Sequence, residues 1–290
     1  MNDSSAYRCI FCLQNNGGFQ KEAHVLPESA CNEDLVLPQG HECDRCNAEF
    51  SAIEQPIIHS FPGQLFRVAF VKETSRGRTP TAKIQGGRIT RADSPAGSTI
   101  QIAQHLSNPH VVQANIEPEK STFTWESRQA LSGRKLSAFL GKIALGYFCL
   151  QGADIYSTEY NHLRTCARSV DPASFIPCFI GVHPHPTQDI QLLGAGEAIV
   201  RQMRPLWITF PGFSGIIPTA PSLSQEDIRG LKNFVEHNLP SRFLLTTDPD
   251  WSKPIKVEMS GIPATEATKL QHRELWNAMT KDTDRGKPSF

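Results

Sequence analysis

Two Cys-x-x-Cys pairs, Cys9–Cys12 and Cys43–Cys46, stand near the start of a 290-residue chain and are separated by residues 13–42. Four thiolates in two such knuckles close a tetrahedral site, so the pairs read as ligands of one structural zinc ion. The alternative is a set of unliganded thiols with a redox role for one pair. The intervening segment is longer than a simple zinc ribbon needs, so further structure is expected between the knuckles. Cys31, Cys149, Cys166 and Cys178 are scattered and read as small core residues.

That intervening segment has its own pattern. Phe19 to Pro27 reads as a strand that delivers His24 to a turn, and Leu35-Val36-Leu37-Pro38 as its hairpin partner. Asp44 to Glu54 then reads as a short helix closed before Pro56. Two strands and a helix held by zinc would place His24 and Asn47 on elements that can face each other.

The string Cys9-Ile10-Phe11-Cys12, Ala23-His24-Val25-Leu26-Pro27, Asn32 and Cys43-Asp44-Arg45-Cys46-Asn47 resembles the four-cysteine zinc branch of the HNH endonucleases over about residues 7–60. The resemblance implies an α+β chain. An N-terminal zinc-stapled ββα-metal (HNH) module, residues 1–62, would precede a larger mixed α+β domain, residues 63–290. It implies His24 as the general base, Asn32 as an orienting residue and Asn47 as a ligand of a catalytic magnesium or manganese ion. It implies hydrolysis of DNA, or of RNA, with zinc kept structural.

Those residue types suit the chemistry. In-line displacement at a phosphodiester needs a deprotonated water and a cation at the leaving oxygen. Magnesium keeps several waters and needs only one or two protein oxygens. One position departs from the pattern. Where the family carries a metal-binding acid directly before the histidine, this chain has Ala23. Glu22 is a weak substitute, because neighbouring side chains on a strand point to opposite faces. A rewired metal site, a binding-only descendant and an inactivating substitution are the three explanations. The rival functions are a zinc-stapled nucleic-acid binder and an interaction protein scaffolded by the zinc.

Charge adds a candidate interface. Arg67, Lys72, Arg76, Arg78, Lys83, Arg88 and Arg91 face a single acid, Glu73, in that stretch, and could follow a phosphate backbone. An ordinary solvated hairpin is the rival reading. Residues 1–62 carry nine acids against three bases, and the chain is neutral overall, which argues against coating nucleic acid by bulk charge and leaves room for a local basic face.

Beyond residue 62 the pattern is mixed. Residues 63–120, including the alternation from Phe66 to Val71, read as strands and loops, and residues 121–280 as mixed helices and strands. Leu136, Phe139, Leu140, Ile143 and Tyr147 mark a helix stopped near Gly152, whose bases Arg134, Lys135 and Lys142 are expected on its exposed face. Ser224-Gln225-Glu226-Asp227 opens a second helix with a near capping box. Strands are expected near residues 176–182, 206–210, 216–218, 243–247 and 256–259. His183-Pro184-His185 reads as a loop, His162 and Arg164 have no evident partner, and the polar tail from Lys281 reads as loose. With no leader pattern at Met1–Ser5 and no membrane-length apolar run, a cytoplasmic protein without a membrane partner is expected.

Overall fold

The computed structural model describes residues 7–27, 34–60, 64, 67–68, 79–84, 87–94, 97–104, 111–116, 121–126, 131–169, 171–183, 189–193, 202–210, 212–238, 243–246, 250, 252–253 and 256–261. In chain order the elements begin with α1 (Asp44–Ile58), β1 (Ala82–Ile84), β2 (Gly87–Ser94), β3 (Gly97–Gln104), β4 (Val111–Ile116) and β5 (Ser121–Glu126). Next come β6 (Leu131–Ser132), α2 (Gly133–Leu150), α3 (Asn161–Arg168), β7 (Cys178–His183) and β8 (Asp189–Leu192). The last are β9 (Leu206–Phe210), β10 (Gly212–Ile217), α4 (Gln225–Asn238), β11 (Phe243–Thr246), β12 (Ser252–Lys253) and β13 (Lys256–Gly261). The chain is a mixed α and β protein.

It divides into two compact units. One holds residues 1–79 and 131–253, the other residues 80–130 and 254–290. This division differs from a boundary at residue 62. The four-cysteine segment shares its unit with α2 and α3, and buried side chains of those helices hold its backbone.

In the first unit a five-stranded antiparallel sheet, ordered β11-β7-β10-β9-β8, lies between two helices. The two-residue period of a strand separates its faces. Phe179, Ile216 and the half-buried Trp207 pack with Leu231 and Val235 of α4. On the other face Phe210 meets Phe139 of α2 edge-on at 5.6 Å between ring centroids, and Gly215 lies against Leu140. Ser224 begins α4 with the expected capping box. Its hydroxyl accepts from the Asp227 amide at 3.1 Å, and the Asp227 carboxylate accepts from the Ser224 amide at 2.8 Å. A two-stranded pair, β6 with β12, also belongs to this unit. The second unit contains two three-stranded antiparallel sheets, ordered β1-β2-β3 and β13-β5-β4.

Several expectations are corrected. Helix α1 does not stop before Pro56 but runs through it to Ile58. In a final turn a proline forfeits one hydrogen bond, and burial of Ile57 and Ile58 offsets it. Gln64, Arg67 and Val68 are helical rather than extended, and the other residues of the alternation, Phe66 and residues 69–71, lie outside the described residues. Lys142 is buried rather than on an exposed helix face. His183 ends β7, while Pro184, His185 and the tail from Lys281 lie outside the described residues. Among the described residues no helix is long and apolar enough to cross a membrane.

Candidate metal centre

The first knuckle is a tight turn closed by hydrogen bonds from the Leu13 amide to the Cys9 carbonyl and from the Cys9 amide to the Gln14 carbonyl, both 2.9 Å. Leu13 takes a left-handed conformation, φ 59°, to complete it. The second knuckle is the start of α1: Cys43 is the residue before the helix and Cys46 lies in its first turn. The amide of Ile10 donates to His41 at 2.8 Å and that of Arg8 to Gly40 at 3.1 Å, which brings the two knuckles side by side. Gly17 is required by close approach, since a Cβ there would fall 2.7 Å from the Cys43 sulfur.

The four sulfurs are buried and lie within 4.8 Å of one another, with Cys12 and Cys43 at 3.7 Å. A tetrahedron of Zn–S bonds of about 2.3 Å has edges of about 3.8 Å. The donor set and its spacing therefore fit zinc, and the cluster could hold one as a structural ion.

The electrostatics point the same way. The Cys9 thiol is held down to about 4, chiefly by a hydrogen bond from Cys46 and against the cost of burial. Cys46 is pushed far above the ordinary thiol range by that same bond and then by burial. Burial pushes Cys43 up to about 11. Thiolates this close cannot all ionise beside one another, whereas a dication among them reverses the balance and expels the protons. Arg45, on the exposed face of α1, is held above its ordinary pKa by the nearby Cys12 sulfur and places a positive charge beside the cluster.

Beside this cluster the two segments expected to pair do meet, at a single bridge rather than as the strand expected over Phe19–Pro27, and the turn between them lies outside the described residues. His24 bridges Val36 in antiparallel register, flanked by bonds from Val25 to Leu35 and from Leu37 to Ala23, each 2.8 Å. His24 Nε2 lies 3.2 Å from a carboxylate oxygen of Glu22, and its Nδ1 is buried. Glu22 and His24 are two residues apart, and their side chains meet on one side of the backbone. Ala23, between them, is 5 % exposed. Asn47 stands in the first turns of α1, and its side-chain nitrogen donates to the Glu22 carbonyl at 3.3 Å. The structure thus brings His24, Glu22 and Asn47 together. Asn32 lies outside the described residues. Among the described residues the four cysteines are the only group of three or more potential metal ligands brought together.

The described residues of the basic stretch fall in both compact units. Arg67 is in the first unit, and Lys83, Arg88 and Arg91 are in the second. Arg88 is exposed on β2 and Arg91 half-buried, three residues apart and so on opposite faces. Lys72, Arg76 and Arg78 lie outside the described residues.

Three anchors were invisible in the sequence. Lys142 Nζ donates to the His24 carbonyl at 2.9 Å and to the Glu54 carboxylate at 2.5 Å. Arg164 donates to carbonyl oxygens of Ile10, Ser157 and Ile155 and to the side chain of Asn161. Tyr156 donates to the Arg8 carbonyl at 2.6 Å. No periodicity or motif announces a side chain that serves a backbone oxygen more than a hundred positions away in the chain. Glu42 is also buried, and burial holds its carboxyl up at about 7 although Lys142 pulls it down. No protein-family model, no curated protein and no solved structure matches this chain.

Proposed function

We propose that the N-terminal segment is an HNH-type module that hydrolyses phosphodiester bonds of DNA with His24 as general base. The observation that carries this reading is the hairpin of His24 and Val36 leading into α1 beside a buried four-cysteine cluster, with Asn47 at the start of that helix. His24 would take the proton of the attacking water. Asn47 donates its amide nitrogen to the Glu22 carbonyl, which leaves its oxygen for a magnesium or manganese ion. Such an ion, when bound, neutralises charge at the leaving oxygen. The four cysteines would keep zinc out of the chemistry and hold the hairpin on the helix.

Ala23 favours a second reading, in which the module binds DNA or RNA without cutting it. A methyl group offers no ligand at the position where the resemblance implies an acid. Binding would then rest on exposed bases such as Arg88 and weaken steeply with salt.

Incubating the purified chain with supercoiled plasmid and magnesium or manganese separates the two. Nicking that disappears in His24→Ala supports the hydrolase. Cutting only by Ala23→Glu identifies a disabled nuclease. Absence of cutting by either form, with zinc in place, overturns the catalytic reading.

A further inference from the structure

His24 is held from outside its own segment. Its carbonyl oxygen accepts from Lys142, a residue on α2 that is 118 positions further along the chain. Lys142 lies in the middle of a helix whose neighbours Gly141, Ile143, Ala144 and Leu145 are all buried, and it is itself 5 % exposed. An ammonium in such a place must be paired and hydrogen-bonded to be tolerated. Its partners are specific. Glu54 of α1, whose side chain is 13 % exposed, takes one donor at 2.5 Å, and the His24 carbonyl takes another at 2.9 Å. The ammonium also stands 5.4 Å from the ring centroid of Phe50, a further residue of α1. The ion pair thus joins α2 to α1 and spends its remaining reach on one backbone oxygen of the hairpin.

We propose that Lys142 is the positioning residue for His24, fixing the strand that carries the imidazole relative to α1 through the His24 carbonyl. Glu54 anchors the ammonium so that it points at the hairpin. Next to it, Val25 packs against Gly146 one turn further along α2, where a Cβ would fall 2.9 Å from a Val25 methyl. The peptide of His24 is therefore held by a directed donor and its neighbour by a close steric fit. As a role in catalysis this rests on the reading of His24 as a general base; as a role in holding the hairpin it stands alone.

The test uses the full zinc-loaded chain. Replacing the ion pair by apolar residues of similar size, Lys142→Met with Glu54→Leu, keeps α1 and α2 packed while removing the donor to His24. Amide hydrogen exchange is then followed at Val25 and Leu37, whose amides close the hairpin, with the β9–β10 amides as reference. The expected result is hairpin exchange faster by about tenfold or more with unchanged reference amides, and a shifted His24 ring resonance. Unchanged hairpin exchange and an unchanged His24 resonance overturn the proposal. Should the double variant lose protection everywhere, Glu54→Gln decides. It keeps the lysine and loosens only its anchor, so a change confined to the hairpin and His24 supports the proposal and its absence overturns it. Where the wild-type chain cuts plasmid, the double variant is expected to lose kcat with KM held. A wild-type chain that does not cut defeats the nuclease reading, and the exchange experiment still decides the role of Lys142.

Discussion

The Nε of Arg164 donates to the carbonyl oxygen of Ile10 at 2.9 Å, so a guanidinium on α3 closes the first cysteine knuckle. Among the described residues, the oxygens that accept hydrogen bonds from Arg164 are backbone carbonyls and one side-chain amide. Removing it orphans several buried acceptors at once. Each orphaned group costs about 1–3 kcal/mol. Arg164→Met is expected to destabilise the first unit by about 3 kcal/mol or more, read as a lower urea midpoint. Arg164→Lys, which keeps the charge but not the fork of donors, is expected to recover only a minor part. A midpoint unchanged in Arg164→Met would show that these bonds carry no net stability.

Metal content follows from the cysteine geometry. One zinc per chain is expected by elemental analysis, and Cys46→Ser should abolish it and lower the melting temperature. Cys166→Ser should leave the metal in place, because Cys166 hydrogen-bonds the Ser137 carbonyl in a different part of the unit. Ligands must shed protons before they bind, so zinc affinity is expected to fall as pH is lowered. Zinc retained by Cys46→Ser would exclude a four-cysteine site.

Gly146 and Val25 form a steric pair whose sign can be reversed. In the wild-type background Gly146→Ala drives a methyl to within 2.9 Å of a β-branched side chain that cannot swing away. Overpacking of this kind costs about 1–3 kcal/mol, more than the helix propensity that alanine gains over glycine. In a Val25→Ala background the clash is gone, and the same substitution is expected to stabilise. Thermal melts of the four chains measure the coupling, and equal effects in both backgrounds would disprove the contact.

His162 supplies a pH dependence. Both ring nitrogens meet carbonyl oxygens, Glu159 at 2.9 Å and Thr219 at 3.0 Å, yet burial holds its pKa below the ordinary histidine value. The folded chain then binds its proton less readily than the unfolded chain. Stability is present above the unfolded pKa of about 6.5 and declines as pH falls below it toward the lower folded value. His162→Gln is expected to flatten that decline in urea titrations between neutral and mildly acid pH. An identical slope in the variant would mean that other groups set it.

Local features were legible wherever chemistry repeats at short range. The two knuckles, the pairing of His24 with Val36, the capping box at Ser224 and the strand from Leu206 to Phe210 all occur where the residues indicated. Pro56 misled, because a proline cost confined to a last turn is small beside the burial of two isoleucines. Glu22 was set aside as facing away from the position of Ala23, which is true, yet the same alternation turns it toward His24.

Sequence by itself determined the cysteine cluster, the hairpin and the helix that follows it, since each depends on spacing within a few residues or on a pair of short motifs. Only the tertiary structure decided that this segment lies in one compact unit with α2 and α3. Lys142, Tyr156 and Arg164 grip its backbone oxygens, and Gly146 receives Val25. The physical reason is that a carbonyl oxygen carries no side-chain signature. A buried cation that serves one is chosen by three-dimensional proximity, and in the linear chain it reads as one more exposed lysine or arginine.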